Sequence, residues 1–477
     1  MLIRDGAIYV VSRAVPGVLA FVTSMLLTWY LPVHEYGLYG LGMAVAVLGN
    51  NVLFEWFAHG MMRWYETHQD DPAFMPTVLV LFAASCLLSL LLPLGACVFG
   101  LLDGDLTLPW ILLCGVWALG WFEFTSRIQT CAFQPMRYLV MSLTRYSLIL
   151  VGGLLVAWLL KSGEAVLLVA FSAMLLSGSL YMRDWLKPMH LRFDPVLARQ
   201  LLSYGAPMFL AMVFGSLMTS IQPVLIGMLA SKSAVGGFTI SLTLVQMTVL
   251  TITQAISMAT WPRSVRAIES GDVTESDRQL RKNFTLLLGV VLPSSAGLAL
   301  LAPELGRLFV NPEYQDAIVR TSPWLSACAV LIALRSAYLD SAFQLGRRTA
   351  LLAHVTGLGA AVNVGLSVVL IPHWGDLGAA VAMTIAFAVS TIHAVLLVRR
   401  YYPLPFPRRE TACISFATLV MALSVVWLAR SGTFHLPLQI IGGVLTYAAI
   451  LGALFWYATW QGLVSRDALA RALGRVP

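Results

Sequence analysis

Eight of the charged or titratable side chains within the long apolar segments of this sequence are its first candidates for chemistry. A charged side chain at the centre of a membrane costs several kcal/mol, so it usually faces a cavity or an oppositely charged partner. These side chains therefore indicate either ion pairs or an internal binding site. They are Arg13, Glu55, His59, Glu123, Arg127, Arg145, Arg335 and Asp340.

The four arginines in this set predict a cationic cavity that binds an anion. Arginine suits phosphate because its planar guanidinium binds two oxygens at once and stays charged when it is desolvated. Arg13, Arg145 and Arg335 have no obvious carboxylate partner on their own segments. Glu123 and Arg127 lie four residues apart on one helix face, so pairing with each other is the structural alternative for these two. The candidate substrate-binding residues are Arg13, Arg127, Arg145 and Arg335.

The second apolar segment carries a polar face. Asn51, Glu55 and His59 follow one another at four-residue spacing, which places them on one side of a helix. Such a face either joins helices through hydrogen bonds or lines a water-filled path. The candidates for ion coupling or substrate contact are Glu55, His59, Glu123 and Asp340.

Neither an enzyme nor a metal site is predicted. The six cysteines form no CxxC pair and lie in or beside apolar segments, which favours small core residues over metal ligands. The GxSxG elbow, the Walker loop and the HExxH motif are absent. A membrane glycosyltransferase or polymerase would need a large loop with catalytic carboxylates, and none is present. We expect no cofactor and, despite the net charge of +7, no nucleic-acid partner, because basic residues cluster in cytoplasmic loops for topological reasons.

Apolar helices are the elements that must position these residues. Hydrophobic residues make up 59% of the 477 residues and charged residues only 11%, whereas a soluble domain averages about 25% charged residues. Apolar stretches of about 20 residues recur from end to end, and each can span the hydrocarbon core as a helix. We predict an all-α integral membrane protein with about 14 transmembrane helices. They are residues 6–31, 37–62, 76–99, 108–131, 140–160, 165–182, 204–230, 235–261, 284–302, 321–342, 350–371, 377–397, 411–429 and 437–460.

Lysine and arginine are distributed unevenly between the two sets of loops. If the N-terminus is cytoplasmic, the loops on that side contain 21 of the 30 basic residues and the opposite loops contain five. Because cytoplasmic loops carry the excess of positive charge, we predict that both termini are cytoplasmic. The turns on the opposite side are then predicted at Leu31-Pro32, Asp103-Gly104, Ser162-Gly163, Ser231-Lys232, Pro372 to Gly375 and Ser431-Gly432.

Weak internal similarity predicts two related six-helix lobes. A shift of 199 residues places Gly37 on Gly236 and Glu55 on Gln254. Transporters built from two such lobes bind their substrate at the interface between them. The predicted division is an N-lobe at 1–183, a cytoplasmic interfacial linker at 184–203, a C-lobe at 204–400, and two extra helices with a basic tail at 401–477.

Two long loops are predicted on the cytoplasmic side, at 183–203 and 262–283. The first contains Asp194-Pro195, an N-cap followed by a first-turn proline. Apolar and polar residues then alternate as in a short helix that lies on the membrane surface.

Several turns resemble those of one known family. The similar stretches are Leu31-Pro32 with Glu35-Tyr36-Gly37, Leu202 to Pro207, Pro312 to Ala317, and Leu370 to Ala380. Taken in this order, they resemble the turns of the Wzx-type lipid-linked oligosaccharide flippases, and the resemblance covers roughly residues 1–400. That polysaccharide biosynthesis family belongs to the multidrug/oligosaccharidyl-lipid/polysaccharide exporter superfamily.

The resemblance implies a protein that moves an undecaprenyl-diphosphate-linked oligosaccharide across the bacterial inner membrane for O-antigen (lipopolysaccharide), capsule or exopolysaccharide synthesis. It also implies lobes that alternate between inward-open and outward-open states, driven by a proton or sodium gradient. The implied partners are membrane lipids, a polysaccharide polymerase and chain-length proteins. Two alternatives with the same fold stay open. A peptidoglycan-precursor flippase also has two additional helices, and a multidrug cation antiporter requires an acidic cavity.

Overall fold

A computed structural model shows the chain as a series of helices. It describes residues 2–460 except 92, 94–106, 183, 185–192, 270–272, 346–348, 403 and 431–435. Two π-helical turns, Gln246–Leu250 and Arg335–Leu339, and one 3-10 turn, Pro312–Tyr314, interrupt the α-helices. The predicted all-α class is confirmed. The α-helices, numbered α1 to α17, are Leu2–Tyr30, Val33–Leu53, Glu55–His68, Phe74–Ser89, Thr107–Cys131, Pro135–Leu160, Gly163–Ser179, Pro195–Thr219, Gln222–Leu229, Lys232–Val245, Thr251–Glu269, Val273–Phe309, Gln315–Leu334, Asp340–Leu345, Thr349–Tyr401, Arg408–Arg430 and Leu436–Trp460.

Many of these helices can cross a membrane. Within the described part of the chain, nine helices are long and apolar enough to do so. The number is ten if Pro195–Gly205 and Phe209–Thr219, which meet at a bend of 48°, form one span. Three apolar helical segments are shorter. They are Val15–Tyr30 within α1, Phe74–Ser89, which is α4, and Gly163–Ser179, which is α7. The chain is therefore a multi-pass membrane protein, and the total of 14 spans stays a prediction.

Several helix boundaries lie where the sequence predicts turns. Ser162 and Ser231 precede α7 and α10, and each hydroxyl accepts a hydrogen bond from a backbone N–H three residues later, at 3.4 and 3.2 Å. These bonds satisfy donors that have no partner inside a helix. Gly375 breaks α15 with a φ of 56°, a left-handed conformation that glycine adopts without steric cost. The turns predicted at Asp103-Gly104 and Ser431-Gly432 lie outside the described residues.

Two predicted boundaries are wrong. The helix predicted at 37–62 is divided at Phe54, which separates α2 from α3. The loop predicted at 262–283 is largely helical, since α11 ends at Glu269 and α12 begins at Val273. Residues 275–282 include glutamate, arginine, glutamine, leucine and lysine, which favour helix even where they are too polar for the membrane.

The predicted interfacial helix is the first part of α8. Asp194 caps it, because Oδ1 accepts hydrogen bonds from the backbone N–H of Val196 at 2.8 Å and of Leu197 at 3.3 Å. Leu197 and Leu201 are buried in an apolar cluster that includes Phe57 and residues of α4. The apolar face of this segment therefore packs on protein rather than on lipid, and the helix continues directly into the next apolar span.

The chain forms two compact units. The first unit comprises Met1–Met247, Phe309–Thr321 and Thr349–Ser390. The second comprises Thr248–Leu308, Ser322–Arg348 and Thr391–Pro477. The predicted lobes, which end at residues 183 and 400, remain predictions.

Helices α2 and α10 of the first unit meet at glycines that the internal repeat pairs with each other. A Cβ on Gly37 would overlap the carbonyl oxygen of Lys232, and one on Gly236 would lie 2.6 Å from the carbonyl oxygen of Val33. The two backbones are thus in direct contact. The contact joins two glycines that the predicted internal repeat treats as equivalent.

Aromatic contacts close one end of the first unit. The rings of Tyr36 and Tyr314 are both fully buried and meet edge to face, with centroids 5.6 Å apart. The Tyr314 hydroxyl donates to the carbonyl oxygen of Leu31 at 3.2 Å. Nε1 of Trp29 donates to the carbonyl oxygen of Phe309, also at 3.2 Å. These contacts join the α1–α2 turn to the turn before α13 and seal this end.

A buried amide network fixes the break between α8 and α9. Nε2 of Gln222 donates to Oδ1 of Asn363 at 2.7 Å and to Oγ of Ser367 at 3.1 Å. Nδ2 of Asn363 donates to the carbonyl oxygen of Leu217 at 2.9 Å, in the last turn of α8, where carbonyls lack helical partners. All three side chains are fully buried. Asn363 therefore caps α8 and also ties α9 to α15.

Replacing Asn363 by leucine is expected to lower the midpoint of thermal unfolding of the purified protein. Leucine has a similar size but removes one of the two acceptors of the Gln222 amide and leaves the Leu217 carbonyl without its capping donor, at a cost of about 1–3 kcal/mol for the unsatisfied carbonyl. Ser424→Ala is the control, because among the described residues this hydroxyl bonds only the carbonyl of Met421 in its own helix. Equal midpoints for Asn363→Leu and the wild type would contradict the network.

Candidate functional site

Glu55 is the centre of an ion cluster inside the first unit. It is the first residue of α3, and 13% of its side chain is exposed. Nη2 of Arg127, on α5, lies 2.6 Å from both carboxylate oxygens. Nδ2 of Asn50 donates to Oε1 at 3.2 Å, and Nε2 of His59 lies 3.4 Å from Oε2. Three side chains thus place nitrogen atoms around one largely buried carboxylate.

The break at Phe54 brings Glu55 to α5. The backbone N–H of Phe54 bonds the carbonyl oxygen of Asn50, and the φ of −119° at Phe54 ends α2 there. The Phe54 ring then packs on Gly120 of α5, where a Cβ would lie 2.9 Å from the ring. This close approach sets the distance from which Arg127 reaches Glu55.

The predicted polar face of the second segment is divided by the same break. Glu55 and His59 remain neighbours on α3. Asn51, however, lies before the break and donates from Nδ2 to Oγ of Ser216 on α8, at 3.0 Å. Asn50 takes the place that the four-residue spacing assigned to Asn51. The adjacent asparagines in the sequence indicated an amide contact with Glu55. The position of the helix break determines that Asn50, and not Asn51, makes it.

Arg145 of α6 is a second buried cation, and aromatic rings cover it. Its side chain is 8% exposed, and its guanidinium carbon lies 4.5 Å from the Phe122 ring centre and 5.0 Å from that of Tyr146. Such cation–π contacts contribute about 2 kcal/mol when the cation is desolvated. Nη1 lies 3.9 Å from Oε1 of Glu123. This distance is longer than the 2.6 Å between Arg127 and Glu55, so the carboxylate holds this cation less tightly than Glu55 holds Arg127.

The arginines of the first unit therefore pair between helices. The alternative of a Glu123–Arg127 pair along α5 is wrong, because Arg127 pairs with Glu55 and Glu123 lies beside Arg145. Arg145 has no carboxylate partner on its own segment, as expected, but Glu123 of α5 lies beside it, since spacing along one segment does not reveal a partner on another. Two carboxylates face two guanidiniums, so the cluster has no net charge while His59 is neutral.

Arg335 and Asp340 form an ion pair in the second unit. Nε of Arg335 lies 3.6 Å from Oδ1 of Asp340, and the two side chains are 6% and 15% exposed. In an α-helix, residues five apart point about 140° away from each other. Arg335–Leu339 is instead a π-helical turn, whose i→i+5 hydrogen bonding aligns residues five apart. Arg335 therefore does have a carboxylate partner on its own segment, contrary to the expectation from sequence.

Arg13 lies in α1, but its side chain is outside the described residues. Glu55, Glu123 and Arg127 line one small cavity, which has no room for a water molecule. An anion can enter this cluster only if the ion pair opens.

An apolar groove runs along α12, α16 and α17 in the second unit. Its volume is about 450 Å³. Gly289, Gly297 and Gly443 are among its lining residues, and their missing side chains leave the groove open. The Tyr447 hydroxyl donates to the carbonyl oxygen of Gly289 at 2.7 Å and holds α17 against α12. The internal repeat predicted from sequence does not include the last two helices, so it gave no reason to expect a groove here. The glycines that line the groove are the feature of the sequence that could have indicated it.

Family comparisons agree with this architecture. A family described as "Polysaccharide biosynthesis protein" matches residues 2–268, and one described as "MatE" matches residues 207–371. No curated protein matches the chain. Both families that match are families of transporters rather than of enzymes.

Similar solved structures show the same fold. One is the lipid II flippase MurJ in an inward closed conformation, with a TM-score of 0.75 and 13% identity over 94% of this chain and 99% of that one. Another is an inward-facing multidrug resistance MATE family transporter of the MOP superfamily, with a TM-score of 0.58 and 14% identity over 82% of this chain and 97% of that one. The chain thus belongs to the polysaccharide biosynthesis protein family and has the fold of the MOP-superfamily flippases and transporters.

Proposed function

We propose that this protein is a flippase that moves an undecaprenyl-diphosphate-linked oligosaccharide across the bacterial inner membrane for O-antigen, capsule or exopolysaccharide synthesis. The observation that carries the proposal is the Arg127–Glu55 pair. A largely buried guanidinium is held there by a carboxylate, and a phosphate offers oxygens of similar geometry with more charge. The diphosphate of the substrate can therefore take the place of Glu55.

Exchange of Arg127 between Glu55 and the diphosphate couples substrate binding to an ion. When the diphosphate takes Arg127, Glu55 is left as a buried carboxylate beside His59, and it binds a proton or a sodium ion because an unpaired buried charge is costly. When the ion leaves, the Arg127–Glu55 pair re-forms and releases the diphosphate. Glu123 and Arg145 are proposed to work in the same way.

The remaining candidates are assigned by analogy with this pair. Asp340 compensates Arg335 in the second unit as Glu55 compensates Arg127 in the first. We propose that Arg335 contacts substrate anions and that Asp340 receives the coupling ion. Arg13 is proposed as a further substrate contact.

The apolar groove of the second unit supports a lipid-linked substrate. A polyprenyl chain gains nothing by leaving lipid for a polar cavity, but it can lie in a groove lined by apolar side chains and glycines. We propose that this groove holds part of the lipid chain of the substrate.

The sealed end of the first unit supports alternating access. The charge distribution predicts that this end faces the periplasm, and the Tyr36–Tyr314 contact closes it. Substrate would then enter from the cytoplasm and leave after these contacts separate. In this arrangement both termini are cytoplasmic, and a polymerase with its chain-length proteins receives the product on the periplasmic side.

The peptidoglycan-precursor flippase is the second candidate. Its support is the fold, which α16 and α17 extend beyond the twelve predicted helices of the two lobes. A multidrug cation antiporter is disfavoured, because Glu55, the most enclosed carboxylate of the first-unit cluster, is already paired with an arginine and is not open to a cationic drug.

Deletion of the gene in its own host is expected to stop export of surface polysaccharide and to accumulate lipid-linked oligosaccharide on the cytoplasmic side. Mass spectrometry of the lipid-linked pool and staining of surface polysaccharide measure both effects. The wild-type gene should restore export, and Arg145→Ala should restore it incompletely at equal protein level.

Two other results would replace the proposal. Accumulation of peptidoglycan precursor with cell lysis would indicate the second candidate. Normal polysaccharide with raised sensitivity to cationic drugs would indicate an antiporter.

A further inference from the structure

A second cavity of the first unit lies at its sealed end and has a different character from the ion cluster. Its volume is about 410 Å³, within the range of about 300–1,000 Å³ that is usual for small-molecule sites. Its walls are the end of α1 and the turn after it, the end of α6, and the turn before α13. The lining residues are Trp29, Tyr30, Leu31, Pro32, Trp158, Lys161, Asn311 and Glu313.

Three exposed aromatic rings frame this cavity. The exposed fractions of Trp29, Tyr30 and Trp158 are 49%, 41% and 61%. The hydrogen bond from Nε1 of Trp29 to the carbonyl oxygen of Phe309 fixes the orientation of the first ring. A ring that is exposed on one face can stack against another flat surface with apolar C–H groups.

Polar groups surround the same cavity. Oδ1 of Asn311 accepts the backbone N–H of Glu313 at 3.1 Å, which fixes the amide and leaves Nδ2 with no hydrogen bond among the described residues. The side chains of Lys161 and Glu313 form no ion pair in the described part of the chain. The cavity therefore offers an amide donor, an ammonium and a carboxylate beside its aromatic rings.

A carbohydrate is the ligand that this combination fits. A pyranose ring has an apolar face of C–H groups that stacks on an aromatic ring, and its hydroxyls require donors and acceptors around the edge. Tryptophan and tyrosine are also common at membrane interfaces, where they anchor helices singly in lipid. Here they converge on a concave polar cavity, and both signs of charge are present, which suits hydroxyl groups better than it suits a lipid chain.

We propose that this cavity binds sugar residues of the exported oligosaccharide on the side of the membrane where it is released. The inference rests on the proposed function for the identity of the sugar and on the predicted orientation for the side. The cavity includes both α1 and the turn before α13, which the Trp29–Phe309 bond joins. Its ligand would therefore bind only while this end is closed, and would favour that closed state.

The test uses oligosaccharide released by mild acid from the lipid-linked pool of the deletion strain. Binding to the purified full-length protein in phospholipid nanodiscs is measured by titration calorimetry. We expect saturable binding by the wild type and at least tenfold weaker binding by Trp158→Leu and by Lys161→Ala. Trp158→Phe keeps an aromatic ring and should lose less than Trp158→Leu.

Trp427→Leu is the matched control, because Trp427 is similarly exposed, at 67%, and does not line this cavity. It should bind as the wild type does. Unchanged affinity in Trp158→Leu and Lys161→Ala would overturn the assignment, as would the absence of binding by the wild type. If Lys161→Ala binds the oligosaccharide as the wild type does but is no longer stabilised by anionic phospholipid, the cavity binds lipid headgroups and no sugar.

The two proposals fail separately. A deletion strain that accumulates no lipid-linked oligosaccharide overturns the flippase proposal, and this inference falls with it. Accumulation without binding at this cavity overturns the sugar site alone.

Discussion

Replacing Arg127 by alanine is expected to destabilise the protein and to abolish export. The side chains of Arg127 and Glu55 are only 20% and 13% exposed, so the substitution leaves Glu55 as a buried charge without its main partner. Breaking a buried ion pair in this way costs about 3–5 kcal/mol. Export is lost in addition because no guanidinium remains at this position to receive the diphosphate.

Stability and transport are separated by a double variant. Glu55→Gln combined with Arg127→Gln removes both charges, so we expect it to recover most of the thermal stability while export stays absent. The measurements are the unfolding midpoint in one detergent and the amount of surface polysaccharide at equal protein level. Arg63→Ala is the control, because Arg63 is an exposed residue of α3. Export by the double variant at the wild-type level would refute the exchange of Arg127 between Glu55 and the substrate.

Gly37→Ala is expected to have the second large effect. The new Cβ would overlap the carbonyl oxygen of Lys232, which is backbone and cannot move like a side chain. Helices α2 and α10 would have to separate, and we expect a loss of more than about 4 kcal/mol, which places it among the exceptional single substitutions. Lower yield of folded protein and a lower unfolding midpoint would report this loss.

A glycine of α1 provides the comparison for this substitution. A Cβ on Gly17 would meet no atom within 4 Å, so Gly17→Ala should leave the unfolding midpoint unchanged or raise it, because alanine favours helix by about 1 kcal/mol. Gly236→Ala should lie between the two, since its Cβ would be 2.6 Å from the carbonyl oxygen of Val33. If Gly37→Ala is as stable as Gly17→Ala, the two helices do not pack as closely as described.

Much of the fold can be predicted from the sequence because lipid imposes a strong constraint. Each span needs a long apolar stretch, and each turn needs a residue such as Ser162, which begins a helix, or Gly375, which breaks one. The misplaced boundaries have local causes. Phe54 breaks a helix without any turn residue, because its ring packs on Gly120 of another helix. Residues after Val273 are polar yet helical, and hydropathy alone cannot distinguish a polar helix from a loop.

The candidate residues could be found from sequence, but their partners could not. Apolar context identifies a charge such as Arg145 as unusual, while its neighbours Phe122 and Glu123 lie on a different helix. The spacing of Arg335 and Asp340 was visible, but its meaning depends on a π-helical turn, which composition does not indicate. Pairing between helices depends on packing. It gives Arg145 a carboxylate neighbour that its own helix does not supply.

The separation of Glu55 from Arg127 along the chain affects how the protein enters the membrane. The two partners are 72 residues apart. At a synthesis rate of about 5–20 residues per second, roughly 4–14 s pass between their emergence from the ribosome. During that time the α2–α3 segment carries an uncompensated acidic group that disfavours stable partition into lipid. This segment should therefore remain beside the insertion machinery until α5 arrives, and membrane integration of the first unit should be cooperative rather than helix by helix.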